Sequence, residues 1–491
     1  MFPLRSGSRS LAPIACALLG ALLAGAGARA AAAEPKPQAP SGVSLEQVRD
    51  SALAGRWSWK LLEDLSDRVG ARPAGSVQFA AAEELVAARL RALGARVTLQ
   101  PVMVPPWVRG AEEAELVDYP GRPQGVTQRL HLTALGDSGA TPEGGIELPV
   151  IVLHDFAEMN ARAQEVRGRI VVFDARFDQR LADNGLPFAA YSEAGKFRFT
   201  GPSQAAALGA AAVLIRSVGG VDLRIPHTGV TVWKEAQASI PCAALASEDI
   251  DLIVRLASAG PVRLHLLLTP RMLAPVEVHN VIADWPGREF PDEVVIVSGH
   301  LDSWDLGTGA SDDGTGVAAS AGVIDALARL NVHARRTVRF IAWADEERGG
   351  RGNKAYRDSV RERIATHCAA IESDSGAGRV MGFRTSLGGK AAAALKPVSE
   401  ALTAIRAPVL DSRPGQGLGA DIDPLQELGV PGFAPLTDTR HYFDIHHTAA
   451  DTLDKVDPHD FERLTATMAV LAYHLAELPA CLPRVRPADE E

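Results

Sequence analysis

The chain of 491 residues is 46% hydrophobic and 22% charged, a globular balance that excludes a disordered or fibrous protein. Its length exceeds what one hydrophobic core usually serves, so two or more domains are expected. A formal net charge of −10 without a long basic run excludes nucleic acid or an anionic membrane as the main partner.

The first residues predict export. Arg5 and Arg9 form a short positive region, Leu11 to Ala24 is small and apolar, and Ala28-Arg29-Ala30 or Ala31-Ala32-Ala33 offers a cleavage site. The apolar run is short for a membrane span. Residues 1–33 are therefore expected to be a signal peptide, leaving a periplasmic or secreted protein with no stable membrane insertion after cleavage. Residues 34–43, rich in Pro, Ala and Ser, read as a flexible leader. Cys242, Cys368 and Cys481 lack metal-ligand spacing. They allow one disulfide at most and otherwise read as buried thiols, so any metal must sit on His and carboxylates.

Ser44 followed by Gln47 is a capping-box start for a first helix. Leu61, Leu62 and Leu65 suit an amphipathic second helix over Trp59 to Val69, and Ser76 to Leu93 predicts a third that Gly94 ends. A strand begins at Val97-Thr98-Leu99. Between Leu116 and Leu273 short β-rich runs take over: Val150 to Leu153, Arg169 to Phe173, Ala211 to Ile215 and Val262 to Leu268, with an Ala-rich helix at Ser203 to Leu208. This pattern predicts a small α+β unit, residues 116–273, inserted into a larger domain formed by 44–115 and 274–482. It holds no candidate catalytic cluster, and His154-Asp155 reads as a surface turn. A polar tail, 483–491, follows.

From His279 onward strands and helices alternate. Asn280 to Ala283, Val294 to Ser298 and Thr337 to Ala344 are apolar runs of the kind buried on both faces of a mixed or parallel sheet. Thr315 to Leu330 and Lys354 to Ile364 read as helices between them. The order predicts an α/β/α sandwich, in which ligands gather beyond the carboxyl ends of the strands.

Five short motifs fall at such places. Ser298-Gly299-His300-Leu301-Asp302 follows a buried strand, where His300 can offer a ring nitrogen to a metal and Asp302 can orient that ring. Gly309 to Gly316, with Ser311-Asp312-Asp313, opens a helix twelve residues beyond His300, and a carboxylate at that point can bridge two cations. In Trp343-Ala344-Asp345-Glu346-Glu347 one carboxylate can bind metal while its neighbour accepts a proton from water. Ile371-Glu372-Ser373-Asp374 and His446-His447-Thr448 complete the series. Histidine, Asp and Glu in this mix suit two zinc ions sharing one carboxylate.

The series GHLDSWD, GASDDGTG, WADEERGG, ESDSG and HHTAADT resembles the co-catalytic zinc exopeptidases of the bacterial aminopeptidase and glutamate carboxypeptidase superfamily, in particular the carboxypeptidase Q branch. The likeness extends to Leu61–Gly75, Pro105–Gly110 and Asn280–Asp302, and the inserted unit resembles a protease-associated domain at Gly168–Phe173 and Gln204–Ile215. The resemblance implies two Zn2+ per chain, bound by His300, Asp312, Glu347, Asp374 and His447, with Asp312 bridging. It assigns Glu346 as general base and then acid, and Asp302 as support for a ligand. His447 rather than His446 is implied because the family ligand precedes an Asp by four residues, here Asp451. It also implies small peptides or dipeptides with free termini as substrates, and a homodimer. Asp421 and Tyr442 are candidates to face the substrate. A non-catalytic module and a cyclising acyltransferase on the same fold are the other readings, and the direction of peptide cleavage stays open.

Overall fold

The computed structural model describes residues 42–220 and 223–485; the predicted signal segment lies outside them. The first helix, Leu45–Ala54, starts as expected, with Ser44 and Gln47 each bonding the other's backbone. Trp57–Glu63 continues into a wider π-helical turn, Asp64–Val69, and Ser76 caps the helix Val77–Ala92.

Eight strands form the larger sheet, in the order Arg96–Val104, Val276–Trp285, Arg336–Trp343, Phe290–His300, His367–Glu372, Gly432–Thr437, Val380–Thr385, Val409–Ser412. Four neighbours at its centre, from Arg336–Trp343 to Gly432–Thr437, run parallel, while both flanks include antiparallel pairs. The central strands are apolar throughout because both faces are covered. Alternate residues supply two separate cores. Val295, Val297, Phe340 and Ile371 face helices Leu45–Ala54, Val77–Ala92, Thr315–Arg329 and Pro458–Glu477. Ile282, Ile296, Ile341 and Ala370 face Tyr356, Val360 and Ile422 on the other side. This is the expected α/β/α sandwich. Helix Pro458–Glu477 lies between sheet and outer helices, with Met468, Val470 and Leu471 buried; each such side chain contributes about 1.5–3 kcal/mol.

A second eight-stranded sheet carries its own cores. Its centre is parallel, Ile146–Leu153, Ile170–Phe173, Ala212–Arg216 and Cys242–Leu245 in order. Strand Glu112–Asp118 pairs with Arg263–Leu268 here, so the boundary placed at 116 falls inside a strand. Its sequence, EEAELVD, is acidic enough to hide the alternation that buries Ala114 and Leu116. A two-stranded ribbon, Trp107–Val108 with Arg271–Met272, marks where the chain leaves the larger domain and returns.

Cys368 and Cys481 form a disulfide, tying the start of a central strand to the segment after the last helix; Cys242 is buried and free, its thiol pushed up to about 12 by burial. Among the described residues no helix is long and apolar enough to cross a membrane.

Candidate metal centre

Three adjacent parallel strands end on one edge of the larger sheet, and each delivers a titratable group there. Phe290–His300 ends in His300 itself; Asp345, Glu346 and Glu347 turn away after Arg336–Trp343; Asp374 follows His367–Glu372. Pairing of His300 with Trp343 and of Ser298 with Glu372 keeps those ends level. Asp312 comes from a tight turn, Ala310–Gly314, before the helix Thr315–Arg329, and the Asp312–Asp313 peptide is cis. Gly316 allows this turn to press on the strand end: a Cβ there would stand 1.9 Å from the Ser373 carbonyl oxygen. His446 and His447 follow the short helix Tyr442–Ile445, with His447 in the left-handed region at φ 60°.

Asp312 lies between the two halves of the cluster. Its Oδ1 is 3.1 Å from His300 Nε2, and its Oδ2 is 3.2 Å from His447 Nε2. His300 Nε2 is also 3.6 Å from Asp374 Oδ1, and His447 Nε2 is 3.1 Å from Glu347 Oε2. All five residues expected to bind metal are thus brought together. His446 stacks on His447 with ring centroids 3.6 Å apart, and its Nε2 is 3.5 Å from Asp312 Oδ2. Only His447 of the pair also reaches Glu347.

The supporting bonds differ in part from expectation. His300 Nδ1 meets the backbone oxygen of Asp302 at 2.9 Å, while the Asp302 carboxylate accepts from the backbone N–H of Glu346 at 3.1 Å and of Glu347 at 3.2 Å. The Asp302 side chain therefore shapes the glutamate turn, and its carbonyl orients the imidazole. Asp451 accepts from the Ser311 and Asp312 N–H groups, and Asp313 from those of His300 and Gly316. Buried Arg72 donates to the Leu301, Thr308 and Gly309 carbonyls and so staples the His300 and Asp312 loops together. Asp313 and Asp451 lie inside the sequence motifs and Arg72 inside the Leu61–Gly75 stretch, yet residue type alone does not announce the backbone bonds that they make.

This edge gathers far more negative than positive charge. Burial pushes Asp302 and Asp451 up to about 7; His300 opposes this at Asp302, and neighbouring carboxylates add to it at both. Burial likewise raises Glu346 well above its ordinary value; His300 opposes this, while Asp374 and Glu347 add to it. Burial depresses His300, yet Asp312 and Asp374 outweigh it and hold the imidazole well above its usual range. Asp312 Oδ2, Glu347 Oε1 and Asp374 Oδ1 are buried without a hydrogen-bond partner. Unpaired buried carboxylate oxygens are costly, and two imidazole nitrogens converge on the same space. Such a donor set fits zinc.

Asp421 is buried beside the centre, its Oδ1 accepting from Asn353 Nδ2 at 3.0 Å and its Oδ2 left unpartnered. Tyr442 packs against Gly376 and the ring of His446. A cavity of about 450 Å³ opens at Asp374, walled by Leu186, Pro187 and Phe188 of the inserted unit and by Arg384, Arg413 and Leu418 of the larger domain.

The sequence pattern of peptidase family M28 matches residues 280–472. Carboxypeptidase Q of Mus musculus is 34% identical over 432 residues, covering 87% of each chain, and that of Homo sapiens matches equally. A peptidase M28 precursor from Shewanella amazonensis has a crystal structure that superposes with a TM-score of 0.83 at 32% identity, over 90% of this chain and 98% of that one. A zinc aminopeptidase from Bacillus subtilis shares the fold, with a TM-score of 0.62 at 19% identity over 88% and 97%. With this cluster at its sheet edge, the chain belongs to peptidase family M28 and is a zinc metallopeptidase.

Proposed function

We propose that this protein is an exported two-zinc exopeptidase acting on small peptides or dipeptides with free termini. The observation that carries the two-metal reading is Asp312, which faces His300 through one oxygen and His447 through the other. One ion would be held by His300, Asp312 and Asp374, the other by His447, Asp312 and Glu347. Zinc, when bound, supplies acidity to a water and polarises the scissile carbonyl. Glu346 sits between these groups without being needed as a ligand. It takes the proton of the attacking water and returns it to the leaving amine. The disulfide between Cys368 and Cys481 fits an oxidising compartment.

A specific feature supports a carboxypeptidase-type direction of cleavage. Arg384 Nε lies 3.3 Å and Arg413 Nε 2.8 Å from oxygens of the same Asp411 carboxylate. Two guanidinium groups share that one carboxylate on a cavity also lined by Glu372 and Asp374, and a substrate's terminal carboxylate can dock at the guanidinium side. Metal analysis with a matched panel tests both readings. The panel is a dipeptide, its C-terminal amide and its N-acetyl form, each with and without chelator. Two zinc ions per chain and chelator-sensitive cleavage of the free dipeptide are expected. A single ion would sink the two-metal reading, and cleavage of the amide as fast as the acid would remove the carboxylate docking.

A further inference from the structure

The inserted unit, devoid of catalytic motifs, reaches into the metal centre through two consecutive residues. The Thr228 N–H donates to the His447 carbonyl at 2.9 Å, and the Thr228 carbonyl lies 3.3 Å from His447 Nδ1. A carbonyl can only accept, so it requires the proton on Nδ1 and leaves the Nε2 lone pair facing Asp312 and Glu347. Next to it, His227 Nδ1 donates to the His446 carbonyl at 3.0 Å. The loop carrying both histidines is therefore gripped at three points by one turn of the insert.

That turn is itself anchored. The His227 N–H donates to Ser217 Oγ at 2.9 Å, and Ser217 Oγ donates to the Leu245 carbonyl at 2.8 Å, on a central strand of the insert's sheet. Arg198, fully buried and in no ion pair among the described residues, donates to the same Thr228 carbonyl at 3.3 Å. The His227 ring lies where a Cβ on Gly219 would be, 1.9 Å from its Cε1, so its position depends on that glycine. Every bond in this chain is buried, and none is duplicated from the larger domain's side of His447.

We propose that the His227–Thr228 turn is a positioning element for the second metal, setting the tautomer and aim of His447 from the inserted unit. The proposal rests on the assignment of His447 as a zinc ligand. Supports behind a metal-binding histidine typically carry about 10–100-fold in metal affinity.

The test uses the full chain stripped of metal and titrated with Zn2+ against a chromophoric chelator, with Co2+ absorption as a second signal. His227→Leu, which removes the donor, is expected to weaken one of the two binding steps by about 10–100-fold and to change the cobalt spectrum of that step alone. Gly219→Ala, which displaces the ring, is expected to act in the same direction. His227→Asn, whose amide nitrogen can replace Nδ1, should restore most of the affinity; with Gly219→Ala it carries the test if the leucine variant does not fold. Equal weakening of both steps, or no change in either with the fold intact by circular dichroism, overturns the proposal. Uptake of fewer than two ions by the wild-type chain overturns the two-metal reading, and the proposal with it.

Discussion

His300 and His447 both turn Nε2 toward Asp312 and rest Nδ1 against a backbone carbonyl, at 2.9 Å and 3.3 Å. For His300 that carbonyl belongs to Asp302, two residues on, within the same motif. For His447 it belongs to Thr228, 219 residues earlier and in another sheet. The first support travels with the GHLD segment and is copied whenever the segment is. The second exists only where the insert's sheet packs against the larger domain. The proposed zinc centre is thus half local and half tertiary, although its two imidazoles look equivalent.

The largest effect should come from the local half. Glu346→Gln keeps the backbone N–H that bonds Asp302 and removes only the proton acceptor. Turnover is expected to fall about 10²–10⁴-fold, with zinc content and unfolding midpoint unchanged. Loss of an ion alongside activity would make Glu346 a ligand and not the base. A smaller effect, purely on stability, is expected from loosening the same sheet at its other end. Cys368→Ser opens a disulfide spanning 113 residues, which should cost about 2–4 kcal/mol in denaturant unfolding. Cys368 begins the strand whose far end leads to Asp374, so both zinc steps should stay put. If either moves, strain at the sheet's base reaches the metals, and the local half is less self-contained than its bonds suggest.

The same division explains what was legible in the sequence. Strands buried on both faces announce themselves as largely apolar runs, and Asn280 to Ala344 could be read from that and from the turns between, although Val276–Trp285 pairs antiparallel with both neighbours. His300, Glu347 and Asp374 sit where such strands stop and Asp312 where a helix starts, so order and spacing marked them as candidates, while His447 follows the end of a short helix. Choosing His447 over its neighbour needed the resemblance, since both rings approach Asp312. At Asp302 the carbonyl meets the His300 ring and the carboxylate meets the glutamate turn, a division that residue type cannot announce. Thr228 was invisible for the same reason: it acts through backbone atoms that every residue possesses. The side chains of Arg72 and Asp313 bond only to backbone groups, which no residue type reveals. The boundary placed at 116 cut the strand Glu112–Asp118 because its four acidic residues mask the alternation that buries Ala114 and Leu116.

The insert has a second hold on the centre, and its expected effect is the smallest. Arg348, one residue past Glu347, donates to Asp137 of the insert and, at 2.6 Å, to the Pro105 carbonyl. Asp137→Ala should cost about 1.5–3 kcal/mol, the range for hydrogen bonds to charged groups, and a double-mutant cycle with Arg348→Met should assign most of it to the pair. The zinc steps should nevertheless hold. Unlike His447, the glutamate turn has its own local support, since Asp302 already accepts from the N–H groups of both Glu346 and Glu347. A shift in metal affinity for Asp137→Ala, equal to that for His227→Leu, would mean that the insert governs the glutamate side as well. The asymmetry between the two imidazoles would then be one instance of a dependence on docking that runs through the whole second metal position.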